Sequence, residues 1–179
     1  MKTDDIKLLH EYNYWADLRI LKTCSEVSAE QYAAPTNSGI GHRSLRATLV
    51  HILDGEWQWR ITCQGSYATL LTDAEYDATE LTEAQFPTLH ALEERWQAEQ
   101  REMRAYIGTL SDEKLNGILR YTTPGGSVRE RVLWHCLFHA VNHGTQHRSE
   151  AAALLTSYGQ SPGDFDFTLF LNEHFNLPS

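Results

Sequence analysis

Four long segments with helical periodicity constrain the fold of this chain more than any other feature. They run from about Asp4 to Glu26, Ser44 to Gln64, Thr88 to Leu110 and Ser127 to Tyr158. Apolar residues recur in them at intervals of three or four positions, which places those residues on one face of a helix. Helices of about 20 residues or more span on the order of 30 Å each, the scale of a four-helix bundle. We therefore predict an all-α four-helix bundle, since similar helix lengths argue against a globin-like or irregular helical fold.

Helix ends and connections can also be assigned. Ser44 and Thr88 are candidate N-cap residues, and Gly65 and Gly159 are candidate helix stops. Three connections are predicted to be irregular: a Pro- and Gly-containing loop, a long crossover, and a segment LRYTT that could form a short strand before a PGG turn (residues 33–43, 66–87 and 111–127). The segment SPGDFDFTLFLNEHF predicts a short C-terminal helix. With no linker or repeat visible, we predict a single domain over residues 1–179.

Charge and composition exclude several function classes. The chain has 15 basic and 24 acidic residues, a net charge of −9, and no basic cluster, so we expect no nucleic-acid partner. No apolar run approaches the roughly 18 residues that span a bilayer, and the N-terminus is acidic where a signal peptide would be apolar. We expect no membrane association and a cytoplasmic location. The three cysteines show no CxxC pattern and are interpreted as reduced core residues.

The stretch HCLFHAVNHGTQHRSE, residues 135–150, carries a histidine at every fourth position: His135, His139, His143 and His147. Steps of four residues advance about 400° around a helix, so consecutive members lie about 40° apart around it and roughly 6 Å apart along it. The first and last are about 18 Å apart along the axis. One metal ion can therefore use one adjacent pair, but it cannot use the whole row.

The polar end of the row is the better candidate for a metal pair. His135 and His139 have bulky apolar neighbours in sequence and are interpreted as packed residues, whereas His143 and His147 lie in the polar stretch NHGTQHR. Solvated or core histidines remain the alternative. A third ligand is expected from a facing helix. His51 is the candidate because it lies beside an apolar row, with Gly55 one turn later to clear space for its ring, although a lone histidine there is more often a core residue.

Three stretches of the chain resemble the DinB/YfiT-like superfamily, bacterial metalloproteins named for DNA-damage induction. They are YNYWAD at residues 12–17, LVHILDGEWQWRITCQG at residues 49–65 and HAVNHGTQHRSE at residues 139–150, the most specific of the three. The resemblance covers almost the whole chain. It implies a four-helix bundle with a divalent metal held by three histidines, here His51, His143 and His147. His139 would be a neighbour of the site and not a ligand.

Two departures from the family pattern fall close to this motif. Asp17 replaces a more usual Asn, and Ser149 with Glu150 replaces a common Gly-Gln after His-Arg. Neither departure removes a predicted ligand. Both are expected to alter helix packing or the pocket.

An ion held by three neutral imidazoles would keep open positions for water or substrate, unlike a closed structural site. Histidine ligation suits zinc, nickel or iron. The free ring nitrogens should find acceptors, for which Asp54, Glu56 and Glu150 are candidates. Aromatic side chains could line a pocket mouth, although such residues more often belong to the core: Tyr12, Trp15 and Trp59.

The resemblance implies a metal-dependent thiol S-transferase in stress response or detoxification, acting on bacillithiol, mycothiol or glutathione. The expected partners are a small-molecule substrate or thiol and a second copy of the chain in a homodimer. Two alternatives remain open. One is a metal-dependent hydrolase with Glu56 as a conceivable base, disfavoured because Glu56 lies about 140° around the helix from His51. The other is a non-catalytic, metal-stabilised stress or interaction protein. The sequence identifies no catalytic residue.

Overall fold

Four long helices form the body of the molecule. The computed structural model describes residues 1–36, 42–65, 79–123 and 126–177. Within them the long helices are α1 (Thr3–Cys24), α3 (Leu45–Cys63), α4 (Leu89–Gly108) and α6 (Leu133–Ser157). Helix α6 packs against α3 and α1, and α4 packs against the same two helices. The predicted four-helix bundle is confirmed.

Short elements connect and cover the bundle. Two of them are helices of one turn, α2 (Ala29–Ala33) and α5 (Asp112–Leu115), and a 3-10 turn covers Glu83–Gln85. The predicted short C-terminal helix is α7 (Phe167–Phe175). The predicted crossover and loop lie partly outside the described residues, which exclude 37–41 and 66–78.

Local capping interactions set the ends of the long helices. The hydroxyl of Ser44 accepts a hydrogen bond from the backbone N–H of Ala47 at 2.9 Å, and that of Thr88 accepts one from Ala91 at 3.2 Å. Each satisfies a backbone donor that the first turn of a helix leaves free. Gly65 and Gly159 both have φ of +81°, the left-handed conformation that ends a helix. The predicted caps and stops are therefore confirmed.

The start of the fourth long helix was predicted six residues too early. Residues 128–132 form strand β2 (Val128–Val132), which pairs antiparallel with β1 (Ile118–Thr122), with Ile118 opposite Val132. The predicted strand LRYTT falls mostly within β1. The alternating sequence VRERV suits a strand, and pairing with β1 satisfies backbone groups that a helix would otherwise satisfy internally. Residues 124 and 125 of the predicted PGG turn are outside the described residues.

The core consists of two apolar clusters separated by buried polar residues. Ile20, Leu49, Trp96 and Leu155 belong to one cluster. Ile6, Cys63, Met103 and Leu137 belong to the other. On every long helix a buried polar side chain lies in sequence between members of the two clusters, and on α1 Asn13 lies one turn before it. We call these side chains the polar layer: Asn13, Asp17, Glu56, Glu99 and Arg148.

Two predictions from composition can be compared with the structure. Cys24, Cys63 and Cys136 are free and buried, as expected for core residues. In the described part of the chain, no helix combines the length and the apolar character that crossing a bilayer requires.

Candidate metal centre

Three histidines from two helices meet on one side of the bundle. Nε2 of His51, on α3, lies 3.1 Å from Nε2 of His143, on α6. The ring of His147 is 4.6 Å from that of His51 and 4.5 Å from that of His143, centroid to centroid. The structure thus brings together the three side chains that the sequence singled out as one ligand set. The contact between α3 and α6 makes this possible, because the predicted third histidine lies on a helix that faces the pair.

A fourth histidine, which the sequence did not single out, joins the group. The ring of His42 stacks on that of His51 at 3.7 Å and meets that of His147 edge-on at 5.1 Å. One ring nitrogen from each of these three residues lies within 4.8 Å of the others, an arrangement that can hold a metal ion. Loops carry no periodicity, so the only available signal was the position of His42, two residues before the N-cap of the helix that carries His51.

Gly55 makes room for His143. A Cβ atom at this position would lie 2.7 Å from Cε1 and 2.8 Å from Nδ1 of the His143 ring, closer than such atoms approach in proteins. The sequence reasoning assigned this space to the ring of His51, on the same helix. The space instead admits a ring from the facing helix. A residue with no side chain is therefore needed on α3 where α6 places His143.

Hydrogen bonds orient one of the rings. Nδ1 of His147 is 2.7 Å from Oε2 of Glu150, which leaves Nε2 of His147 free to face the other rings. Ligating histidines commonly bond a carboxylate in this way, which fixes the tautomer. Of the three proposed partners, Asp54 instead accepts from Gln58 and from the backbone of Leu81. Nδ1 of His143 is buried without a hydrogen-bond partner among the described residues.

The surroundings of His42, His51 and His143 favour the neutral form of these three rings. Burial, with the neighbouring rings of His42 and His147, lowers the pKa of His51 to about 4. Burial and the surrounding imidazoles lower the pKa of His143 to about 3, and burial also lowers the pKa of His42. Neutral imidazoles offer a lone pair to a metal ion, whereas imidazolium does not. At neutral pH these rings therefore do not need to lose a proton before they bind a cation.

The other two histidines of the row lie outside the core, contrary to expectation. His135 and His139 are exposed, whereas His143 is half-buried and His147 is buried. His139 contacts the ring of Trp59 at 4.8 Å and lies 6.0 Å from His143. Apolar sequence neighbours misled the prediction, because the spatial neighbours of a helical residue are three and four positions away. For His135 these include Arg131 and His139, which are also exposed.

The aromatic residues considered for a pocket mouth have separate roles. Tyr12 packs on Phe167 and Phe170 of α7, and the indole N–H of Trp15 donates to Glu173 at 2.7 Å. These two side chains therefore hold α7 against α1. Only Trp59, through His139, lies next to the histidine group.

At both positions where the chain departs from the family pattern, the side chain contacts another polar side chain. Glu150 is the carboxylate on His147, as described above. Asp17 accepts a hydrogen bond from Nη1 of Arg148 at 2.8 Å, and both residues are almost fully buried. Gly144 permits this contact, because a Cβ there would lie 2.7 Å from the same Nη1 atom.

Glu56 belongs to the same polar layer and does not contact the histidines. Its Oε1 accepts from Nδ2 of Asn13 at 2.5 Å and its Oε2 accepts from Nε1 of Trp96 at 3.0 Å. Burial and the nearby charge of Asp17 raise its pKa well above the ordinary value. Glu56 is therefore a buried residue of the core whose surroundings favour the neutral carboxyl, and its position away from the histidines suits it poorly to be a base at the site.

Comparison with known proteins shows which family the chain belongs to. The model of the DinB family matches residues 1–175. The chain belongs to the DinB family. It is also 29% identical over 168 residues to the protein DinB of Bacillus subtilis strain 168, an alignment that covers 92% of this chain and 94% of that protein. The family resemblance inferred from the three sequence stretches is confirmed.

The donor set of this DinB-family chain fits a transition metal. Two imidazole nitrogens that bind one zinc ion, each at about 2.0–2.1 Å, lie about 3.0–3.4 Å apart. The Nε2 atoms of His51 and His143 lie 3.1 Å apart. The nitrogen-only donors favour zinc, nickel or iron over magnesium or calcium, which prefer oxygen.

Proposed function

We propose that this DinB-family protein binds one divalent zinc, nickel or iron ion through His51, His143 and His147, and that it uses the ion to activate a low-molecular-weight thiol for S-transfer. One observation carries the proposal. The ring nitrogens of His51 and His143 converge to 3.1 Å across two helices, with the ring of His147 against both.

The surroundings of the three rings support the proposed role. The lowered pKa values of His51 and His143 leave lone pairs available on those two rings. Glu150 orients His147 so that Nε2 faces inward. A divalent ion supplies charge that lowers the pKa of a bound thiol and so makes it nucleophilic. The protein contributes the fixed geometry of the ligands, and three histidines leave room for a further ligand.

Metal binding is tested by titrating the metal-free protein with zinc, nickel and iron(II) and measuring stoichiometry and Kd. We expect one ion per chain. The variant His143→Ala should lose binding, because it removes one of the two converging nitrogens. His135→Ala is the matched control, since it removes an exposed histidine from the same helix. Equal affinity in both variants would overturn the ligand assignment.

The transfer reaction is tested separately on the metal-loaded protein. Glutathione, bacillithiol and mycothiol are each assayed with an electrophilic chlorinated or epoxide substrate, and thioether formation is followed by mass spectrometry. We expect turnover with at least one thiol and none in His143→Ala. No turnover with any thiol, alongside stoichiometric metal, would refute the transferase and leave the metal site standing.

A second function has one observation in its favour. The proposed ligands lie on α3 and α6, so an ion would connect two helices of the bundle, which suits a metal-stabilised protein without catalysis. A large loss of thermal stability on chelation, with no thiol binding, would support that function. The hydrolase is less well supported, since the core position of Glu56 removes its proposed base.

A further inference from the structure

His42 occupies a position that three-histidine binding does not require. Its ring stacks on His51 at 3.7 Å with 28° between the planes, and it lies 5.1 Å from the ring of His147. The nitrogens of His42, His51 and His147 lie within 4.8 Å of one another. His42 therefore approaches the same point as two of the proposed ligands, from a segment outside the bundle helices.

Local backbone interactions hold His42 in this place. Its N–H donates to the hydroxyl of Thr48 at 3.0 Å, and its carbonyl accepts from the N–H of Ser44 at 2.7 Å. Arg43 has φ of 63°, a left-handed conformation that is uncommon for a residue other than glycine. The chain thus turns sharply just before α3, and the turn brings His42 back over the first turns of the helix toward His51.

His42 also faces the space through which a small molecule can approach. A cavity of about 460 Å³ lies between the start of α3 and residues 80–83. Among the four clustered histidines, only His42 and His51 line it. A molecule that enters from this cavity therefore meets His42 and His51 before it reaches His143 or His147.

We propose that His42 is a fourth, exchangeable metal ligand that fills the open coordination position until an incoming ligand displaces it. This inference rests on the proposed three-histidine site. In the exchange, the bond between the metal and the His42 nitrogen breaks as a bond to the incoming donor atom forms. When the donor is a thiol, its proton is released to the solvent. The resting protein would hold the ion with four imidazoles, and His42 would limit which donors can replace it.

The experiment uses the full-length protein loaded with cobalt(II), whose visible spectrum reports coordination number and ligand type, and azide as the incoming ligand. The variants are His42→Ala, His42→Gln and the control His90→Ala, which removes an exposed histidine from α4. For both His42 variants we expect an altered spectrum, cobalt affinity weaker by at least about tenfold, and azide binding tighter than in the wild type. The control should match the wild type in all three.

The outcomes separate the two proposals. Stoichiometric cobalt binding with identical spectra and azide affinities in the wild type and both His42 variants would overturn the role of His42 alone. Failure of the wild type to bind cobalt, zinc or nickel would overturn the metal site and the inference together. Circular dichroism of each variant establishes that it is folded before the metal is added.

Discussion

At the scale of single residues, Gly55 is the most restrictive position of the site. Its lack of a side chain admits the ring of His143, whose Cε1 would lie 2.7 Å from an added Cβ. We expect Gly55→Ala to weaken zinc binding by at least about tenfold, because the ring must move from the converging position. Competition with a chromogenic chelator measures the change.

The control for Gly55 is another helical glycine. No heavy atom lies within 4 Å of a Cβ built at Gly108, in α4. Gly108→Ala should leave zinc affinity unchanged and leave stability unchanged or higher by up to about 1 kcal/mol. An undiminished zinc affinity in Gly55→Ala would show that the close approach is not needed for binding.

The buried charges of the polar layer lead to a second prediction. Asp17 is the carboxylate that pairs with buried Arg148. Asp17→Asn should therefore lower the free energy of unfolding by about 3–5 kcal/mol, since it leaves a buried charge without its partner. Glu56→Gln should cost only about 1 kcal/mol, because burial favours the neutral form of the Glu56 carboxyl and the change disturbs one hydrogen bond. Urea denaturation at pH 7 gives both values, and equal losses would contradict this difference between the two carboxyl groups.

The sequence predicted some of these residues and not others. His51, His143 and His147 could be selected because helix periodicity and a recognisable motif mark them. His42 could not, because a loop residue has no period from which its direction can be read. His135 and His139 were assigned to the core from their sequence neighbours, but the direction in which a helical side chain points depends on residues one turn away.

At the scale of helices and strands, the proposed metal would join α3 to α6. Zinc at 100 times its Kd should raise the free energy of unfolding by about 2.7 kcal/mol, because only the folded protein brings His51 to His143. Amide hydrogen exchange should slow in α3 and α6 more than in α7, which holds no proposed ligand.

The variant His143→Ala provides the comparison for this effect. Its thermal midpoint and exchange rates should not respond to zinc. A zinc-induced rise of the same size in that variant would place the binding site elsewhere on the chain.

Element boundaries were predictable where a side chain or a glycine sets them. Ser44, Thr88, Gly65 and Gly159 marked helix ends correctly because their effect on the backbone is local. The start of α6 was not predictable in this way. In the structure Val132 precedes the helix without a capping side chain, and the preceding residues pair with strand β1, which belongs to a separate segment of the sequence.

At the scale of the whole molecule, a buried histidine makes stability depend on pH. His10, in α1, is 3% exposed, and burial lowers its pKa to about 4. Above about pH 6.5 the residue is neutral in both the folded and the unfolded chain. Between pH 6.5 and 4 only the unfolded chain gains a proton. The free energy of unfolding therefore decreases as the pH is lowered, and this residue accounts for about 3 kcal/mol of the decrease.

Comparison with His10→Gln isolates the effect. Denaturation of the metal-free proteins at pH 7, 5.5 and 4 should show a smaller decrease in the variant, by about 3 kcal/mol over the range. Other titrating groups contribute equally to both proteins and cancel. Parallel decreases would show that His10 does not resist protonation in the folded state.

The all-α fold was predictable because four periodic segments of similar length have few ways to bury their apolar faces. A single domain over residues 1–179 and the homodimer stay predictions. The polar layer was not predictable, because Asp17, Glu56 and Arg148 appear in the sequence as ordinary charged residues. Their burial depends on mutual contacts among three helices, which no single segment reveals.

The polar layer also restricts how far one helix of the bundle can slide along another. Apolar side chains of similar size tolerate sliding of one helix along another, but buried charges do not. A shift of α6 by one turn, about 5.4 Å, would carry Arg148 away from Asp17 and into hydrocarbon surroundings. Asp17 lies on α1, and Asn13 of α1 also donates to Glu56 of α3, so α3 and α6 are both aligned against α1. The same alignment brings His143, five residues before Arg148, level with His51.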